Sequence, residues 1–342
     1  MNEVVSFGRP WNLLEPDIEE VQQARERIGK DLRPTPLLEN ERANDLMGAR
    51  LLVKAEGLQP TGSFKVRGAL NMISLLAQDN ALGKGGLLTF SSGNHGQAVA
   101  WAARKLGMPA VVLMPHDAPA TKVRLTKAWG AEVILYNRPG DDRELIGRTL
   151  ARERDLTIIP PFEDRRIVAG AGTLALEVLE TLTGQPPLDI LVTNCSGGGM
   201  AAGSALVARK LSPTTQVWTT EPTGFDDLRR SLLAGQVVAN SGSGTSICDS
   251  LIAPKTGELT FSVMSKYLAG AVSIDDEDVL QAMQFAFHEY RVVVEPGGAA
   301  GLAAVLSGKI DVKGKTVVVV LSGSNVDRPI FEKALVSAPK IL

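Results

Sequence analysis

The chain has 342 residues, 44% of them hydrophobic and 22% charged, with a formal net charge of −2. That length exceeds what one hydrophobic core usually supports, so two domains are expected. The near-neutral balance gives no electrostatic case for nucleic acid or an anionic membrane surface, and no apolar run approaches the roughly 20 residues of a membrane span.

The N-terminus, Met1-Asn2-Glu3-Val4-Val5, carries an acid and lacks the basic region and apolar block of a secretory signal. From there, short β-branched or leucine-rich runs alternate with helical periodicity. Strands are predicted at 51–55, 87–90, 110–114, 132–136, 190–193, 216–220, 292–294 and 316–321. Helices are predicted at 66–76, 96–106, 119–129, 141–154, 173–182, 200–210 and 276–291. This alternation implies an α/β protein with mostly parallel sheets. Residues 86–164 read as a small α/β domain interrupting a larger one built from 1–85 and 165–342. The stretch 224–246, rich in Gly and Ser, reads as the longest irregular segment. Cys195 and Cys248, the only cysteines, make no disulfide framework and suit a reducing cytosol. His95, His116 and His288 lack the paired spacing of a metal motif.

The chemistry concentrates where strands end in glycine. In Gln59-Pro60-Thr61-Gly62-Ser63-Phe64-Lys65-Val66-Arg67-Gly68, Lys65 opens a helix after a glycine turn. The helix dipole there disfavours its ammonium form, as an amine that forms a Schiff base requires. An ordinary first-turn lysine reaching into solvent would occupy the same place. Ser91-Ser92-Gly93-Asn94-His95-Gly96-Gln97 follows the next strand. Its hydroxyls, amide and backbone N–H groups suit a carboxylate better than a plain helix cap, which needs one polar residue. In Cys195-Ser196-Gly197-Gly198-Gly199-Met200, successive glycines let backbone N–H groups converge on an anion such as phosphate. Ser322-Gly323-Ser324-Asn325 ends the most apolar strand and offers a hydroxyl to a ring nitrogen. Gly170-Ala171-Gly172-Thr173-Leu174-Ala175 matches the dinucleotide pattern Gly-x-Gly-x-x-Ala, but a poor strand precedes it, so NAD is set aside.

In this order the lysine turn, the Ser-Ser-Gly-Asn-His loop, the glycine run and the Ser-Gly turn resemble the fold-type-II pyridoxal-phosphate enzymes. The likeness is to their threonine/serine dehydratase and serine racemase branch. It runs from Arg33-Pro34-Thr35-Pro36-Leu37 to Asn325, taking in Gly257-Glu258-Leu259-Thr260-Phe261 and Glu295-Pro296-Gly297-Gly298-Ala299. It implies a tryptophan synthase β-like α/β fold of two open twisted sheets flanked by helices. It also implies Lys65 as the Schiff-base lysine with Phe64 beside the ring, and Asn94 at the ring hydroxyl. Ser196, Gly197, Gly198, Gly199 and Met200 would cradle the phosphate, Ser322 would meet the pyridine nitrogen, and Glu295 joins the cofactor contacts. Ser91, Gly93, Asn94 and His95 would seat the substrate carboxylate. Ser92 matches the serine facing the ring opposite the lysine, the second acid/base of racemases. Glu221, a carbonyl at Phe225, and Asp227 match a divalent-cation site suited to Mg²⁺, Mn²⁺ or Ca²⁺.

Two departures stand out. The family commonly shows His-Pro-Phe and Gly-Gln-Gly-Thr where this chain reads Pro160-Pro161-Phe162 and Gly170-Ala171-Gly172-Thr173. The chain also ends near Leu342, with no room for the regulatory domain of feedback-controlled threonine dehydratases. The expected activity is β-elimination from a β-hydroxy amino acid such as L-threonine or L-serine, giving a 2-oxo acid and ammonia. Alternatives are a serine racemase-type activity, or a dehydratase for 3-hydroxyaspartate or phenylserine. A sulfhydrylase fits less well, because that branch favours a Thr-Ser-Gly-Asn-Thr loop, and a non-catalytic sensor would not need an intact lysine. A cytosolic homodimer acting on a small amino acid is expected.

Overall fold

The computed structural model describes residues 14–91, 93–137, 140–242 and 244–337, so the N-terminal segment read above at 1–5 lies outside the described residues. Among the described residues ten strands run in chain order: β1 (Leu37–Glu39), β2 (Arg50–Ala55), β3 (Gly86–Phe90), β4 (Ala110–Pro115), β5 (Glu132–Tyr136), β6 (Leu156–Ile158), β7 (Ile190–Asn194), β8 (Gln216–Pro222), β9 (Gly270–Ile274) and β10 (Thr316–Leu321). The helices begin with α1 (Ile18–Ile28), α2 (Glu41–Met47), α3 (Lys65–Gln78), α4 (Asn94–Lys105), α5 (Ala120–Ala128) and α6 (Arg143–Arg154). They continue as α7 (Arg165–Thr181), α8 (Gly199–Leu211), α9 (Asp227–Ala234), α10 (Glu258–Tyr267), α11 (Asp276–Tyr290), α12 (Pro296–Leu306) and α13 (Arg328–Val336).

The strands form a six-stranded sheet in the order β1-β2-β10-β7-β8-β9 and a four-stranded sheet in the order β5-β4-β3-β6. All pairings are parallel except β1 with β2. The strand β10 is buried along its length because both faces are covered. Its Val317, Val319 and Leu321 share one core cluster with Met283 and Phe285 of α11 and Leu302 of α12. Val318 and Val320 point the other way, toward Leu174 of α7 and Ala202 and Leu206 of α8.

In the smaller sheet, Leu87, Val112 and Met114 pack on Val66, Leu70 and Ile73 of α3 and Val99 of α4. Leu88, Val111 and Leu156 form a second, smaller cluster beneath α6. Thus α3, which precedes this sheet in the chain, lies in its core. A buried ionic knot fixes where α3 starts. Arg67, fully buried, bonds Glu56 at 2.8 Å and Glu177 at 2.7 Å, while Lys54 reaches Glu177 at 2.7 Å. Removing one member of such a knot costs about 3–5 kcal/mol, because its partner's charge stays buried.

Several expectations need correction. Residues 292–294 form no strand. The edge beyond β8 is taken instead by β9, whose Gly270, Ala271 and Ser273 carry little strand signal and are only half-buried. Helix α7 starts at Arg165, eight residues before 173, where Asp164 caps it by accepting from Arg166 N at 2.8 Å. The dinucleotide-like glycines therefore lie inside a helix. A Cβ at Gly170 would fall 2.7 Å from the Gly68 Cα, and one at Gly172 3.1 Å from the Gly203 carbonyl, so both serve close helix packing. Helix α9 occupies part of 224–246. No helix among the described residues is long and apolar enough to cross a membrane.

Candidate active site

The C-terminal ends of strands from both sheets open onto a cavity of about 510 Å³. Lys65 stands at its floor as the first residue of α3. The turn before it is stitched to the end of β10: Phe64 N donates to the Ser322 carbonyl at 3.0 Å, and Ser63 bridges Gly323. The Lys65 Nζ donates to the Pro161 carbonyl at 3.0 Å and lies 5.2 Å from the centre of the Phe64 ring. Burial pushes its pKa down to about 8. The depression expected from the helix end is present, but desolvation causes it.

Ser91, Gly93, Asn94 and His95 line the opposite wall. Helix α4 begins there with no side-chain cap, leaving its first N–H groups to a ligand. His95 is buried and held near pKa 3, first by burial and then by the charge of Lys65. Its Nε2 lies 3.1 Å from the Ile159 carbonyl, which can only accept, so Nε2 carries the proton and the buried Nδ1, without a partner among the described residues, is left as an acceptor. The His95 ring therefore offers no donor to a carboxylate; its backbone N–H does. Ser92 lies outside the described residues.

Ser196, Gly197, Gly198, Gly199 and Met200 form a third wall at the start of α8, again without a side-chain cap. Gly198 has φ +95°, the left-handed region that favours glycine. A Cβ on Gly197 would meet the Phe162 ring at 2.0 Å. The loop is braced from outside by Thr260, whose Oγ1 donates to the Gly197 carbonyl at 2.6 Å. Glu163 in turn accepts from Leu259 N at 2.7 Å and so caps α10. Ser322 reaches the cavity from β10, and its Oγ accepts from Asn194 Nδ2 at 3.1 Å. With that lone pair used, the hydroxyl proton is free to point into the cavity.

Of the contacts around these residues, those of Asn325, Lys122 and Arg143 had no sequence signal. Asn94 Nδ2 donates to Glu295 Oε1, and Asn94 Oδ1 accepts from Asn325 at 2.9 Å. Glu295 does not line the cavity itself; it stands behind Asn94 and is ion-paired with Lys122 at 2.7 Å. Arg143, the first residue of α6, also lines the cavity, and its guanidinium makes no hydrogen bond or ion pair among the described residues.

Glu221, Phe225 and Asp227 lie away from this cavity, at the start of α9. Glu221 is fully buried and accepts from Leu228 N at 3.0 Å and Arg229 N at 2.9 Å. Asp227 accepts from Thr256 N at 2.6 Å and Asn240 Nδ2 at 2.7 Å. Burial, and then Asp227 beside it, push the Glu221 carboxyl up to about 8. No three His, Cys, Asp or Glu side chains gather as a metal cluster among the described residues. A cation here would rely on two carboxylates and a backbone carbonyl.

An ε-amine with a lowered pKa facing an anion cradle and a hydroxyl has a counterpart in known proteins. The model of the pyridoxal-phosphate dependent enzyme family matches residues 28–323. The chain belongs to this family. An L-threo-3-hydroxyaspartate ammonia-lyase of Saccharomyces cerevisiae is 39% identical over 315 residues, 92% of this chain and 95% of the yeast protein. A serine racemase of Schizosaccharomyces pombe is 39% identical over 92% of this chain and 96% of its own. The crystal structure of a T.th. threonine deaminase superposes with a TM-score of 0.85 at 39% identity, covering 91% of this chain and 99% of that one. Pyridoxal phosphate is the family's cofactor, and the cavity fits it. A glycine run whose close approach to Phe162 no Cβ at 197 would allow, an uncapped helix start and a desolvated amine meet in one space.

Proposed function

We propose that the protein removes water from a β-hydroxy amino acid, releasing a 2-oxo acid and ammonia. The observation that carries this reading is the Lys65 amine, near pKa 8, in one cavity with the uncapped start of α4 and the Ser322 hydroxyl. Lys65 would hold the cofactor, with its phosphate on the N–H groups of Gly197, Gly198, Gly199 and Met200. Asn94 would meet the ring hydroxyl and Ser322 the ring nitrogen. When bound, pyridoxal phosphate draws electrons from the substrate Cα. The backbone N–H groups of Asn94 and His95, with Ser91 and Gly93, hold the α-carboxylate. Lys65, displaced by the substrate amine, takes the Cα proton and so carries the proton that the departing β-hydroxyl needs. A hydroxyl at the ring nitrogen, unlike a carboxylate, leaves that nitrogen unprotonated and favours expulsion of the leaving group. Residues 86–164, moving as a small domain over the cavity, would exclude water. Incubation with L-threonine, L-serine, 3-hydroxyaspartate and phenylserine tests the reading, and no 2-oxo acid from any of them would reject it.

Arg143 favours a dicarboxylic substrate among these. Of the other cations on the cavity wall, Lys122 is paired with Asp249 and Glu295, and Lys255 with Glu258. Arg143 alone of the three is left to meet a second carboxylate, as in 3-hydroxyaspartate, the substrate named for the yeast relative. A racemase activity would need Ser92, and Ser92→Ala would then abolish formation of D-serine while sparing elimination from L-serine. We assign the divalent cation to Glu221, Phe225 O and Asp227, where it would relieve two adjacent buried carboxylates. Both cysteines are free and buried, which fits a reducing cytosol, and we expect a homodimer.

A further inference from the structure

Lys122 is nearly inaccessible, although lysine is among the residues least often buried. Its stem lies against the α4 loop, where a Cβ on Gly93 would fall 2.3 Å from Lys122 Cδ. Three carboxylate oxygens surround its Nζ: Asp249 Oδ1 at 3.0 Å, Asp249 Oδ2 at 2.8 Å and Glu295 Oε2 at 2.7 Å. The two Asp249 oxygens accept hydrogen bonds from it, and Glu295 Oε2 is held by charge as an ion pair. Lys122 comes from α5, beside the smaller sheet, whereas Asp249 and Glu295 belong to the segments around the larger one.

The far oxygen of Glu295 takes one hydrogen of the Asn94 amide, while Asn325 donates to the amide oxygen. Those two partners fix which way the amide faces, and they leave its second N–H free for a ring hydroxyl. Glu295 touches no solvent, and burial pushes its carboxyl pKa up; Lys122 opposes this and Asp249 adds to it. The other titratable neighbour is Cys248, a buried thiol that burial keeps neutral.

We propose that Lys122 is a positioning residue that keeps Glu295 ionised, and through it holds the Asn94 amide in the orientation that meets the cofactor ring. The same ammonium ties the smaller sheet to the larger at the edge of the cavity. This rests on the reading of the cavity as the pyridoxal-phosphate site, but not on which substrate is used. Without Lys122, Glu295 takes up a proton and its O–H competes as a donor, so the amide loses its fixed partner.

The test is the visible absorption of the bound cofactor, recorded without substrate from mildly acid to mildly alkaline pH, together with the rate of cofactor loss. Lys122→Met should shift the absorption maximum from the wild-type position and release cofactor about tenfold faster, as removal of one member of a buried pair predicts. Lys122→Arg, which still presents donors to both carboxylates, should return the wild-type spectrum. Glu295→Gln imposes the uncharged side chain without stranding a charge, and should reproduce the Lys122→Met spectrum. Wild-type spectra and cofactor retention in both Lys122→Met and Glu295→Gln would overturn the proposal. If Lys122→Met does not fold, a wild-type spectrum in Glu295→Gln overturns it alone. An enzyme inactive on every β-hydroxy amino acid yet showing these shifts would sink the proposed reaction and leave the role of Lys122 standing.

Discussion

The two sheets meet the same cavity in different ways. The larger one supplies a bed: β10 and β7 are buried throughout, and the Lys65 turn, the glycine cradle and Ser322 are all tied to their ends. The smaller one supplies a cover whose outer strand β5 is mostly half-buried or exposed, and whose α4 and α6 present Asn94, His95 and Arg143. Helices α3, α4 and α8 begin at the cavity without a side-chain cap of their own. A cap forgone costs about 1 kcal/mol, and a bound anion at the same N–H groups restores it. On the proposed reading the bed would carry most of the cofactor contacts and the cover would hold the substrate.

Breaking the bed should have the largest effect. Lys65→Ala is expected to lose at least about 10³-fold in turnover, since on the proposed reading it would remove both the attachment point and the base. Borohydride treatment and peptide mapping of the wild type should mark Lys65; an unmodified side chain would end the account. Breaking the cover should change preference instead. Arg143→Gln is expected to raise KM for 3-hydroxyaspartate about tenfold to a hundredfold, the worth of a charge-assisted hydrogen bond, while leaving L-serine unaffected. Equal losses on both substrates would show that Arg143 does not read a second carboxylate.

A subtler change sharpens the same contrast at the phosphate end. Gly198→Ala places a methyl 2.5 Å from Met264 Cε on a residue with φ +95°. The expected cost is about 1–3 kcal/mol, seen as faster cofactor loss and a lower Tm. The smallest effect concerns the cation, on the side of the bed away from the cavity. Glu221 is raised to about 8, above the ordinary carboxyl value, so the folded state binds the proton more tightly than the unfolded chain. Without a cation, stability should fall as pH rises toward about 8. Mg²⁺ replaces that proton, so its gain in Tm should grow across the same interval. A gain independent of pH, or indifference to chelation, would remove the cation from these residues.

The local motifs were legible because each is short and made by neighbours in the chain. A glycine run after an apolar strand already specifies converging N–H groups, and the unbroken valines and leucine at 317–321 specify a central strand. Where the signal was local but weak, reading erred: Val292, Val293 and Val294 suggest a strand better than Gly270, Ala271 and Ser273 do. A strand exists only where an edge is open to pair with it, and that edge lay beside β8 at 270–274. The dinucleotide-like glycines show the converse, a pattern satisfied by helix packing.

By itself, then, the sequence determined the α/β alternation, the lysine turn, the anion cradle and the apolar spine of the bed. Tertiary structure alone decided that Lys122 meets Asp249 and Glu295, that Arg143 reaches the cavity wall with no partner among the described residues, and that the Ile159 carbonyl takes the His95 ring proton. The first of these depends on charges brought together from segments more than a hundred residues apart and stripped of water. No spacing along the chain encodes which buried ion will find its counterion.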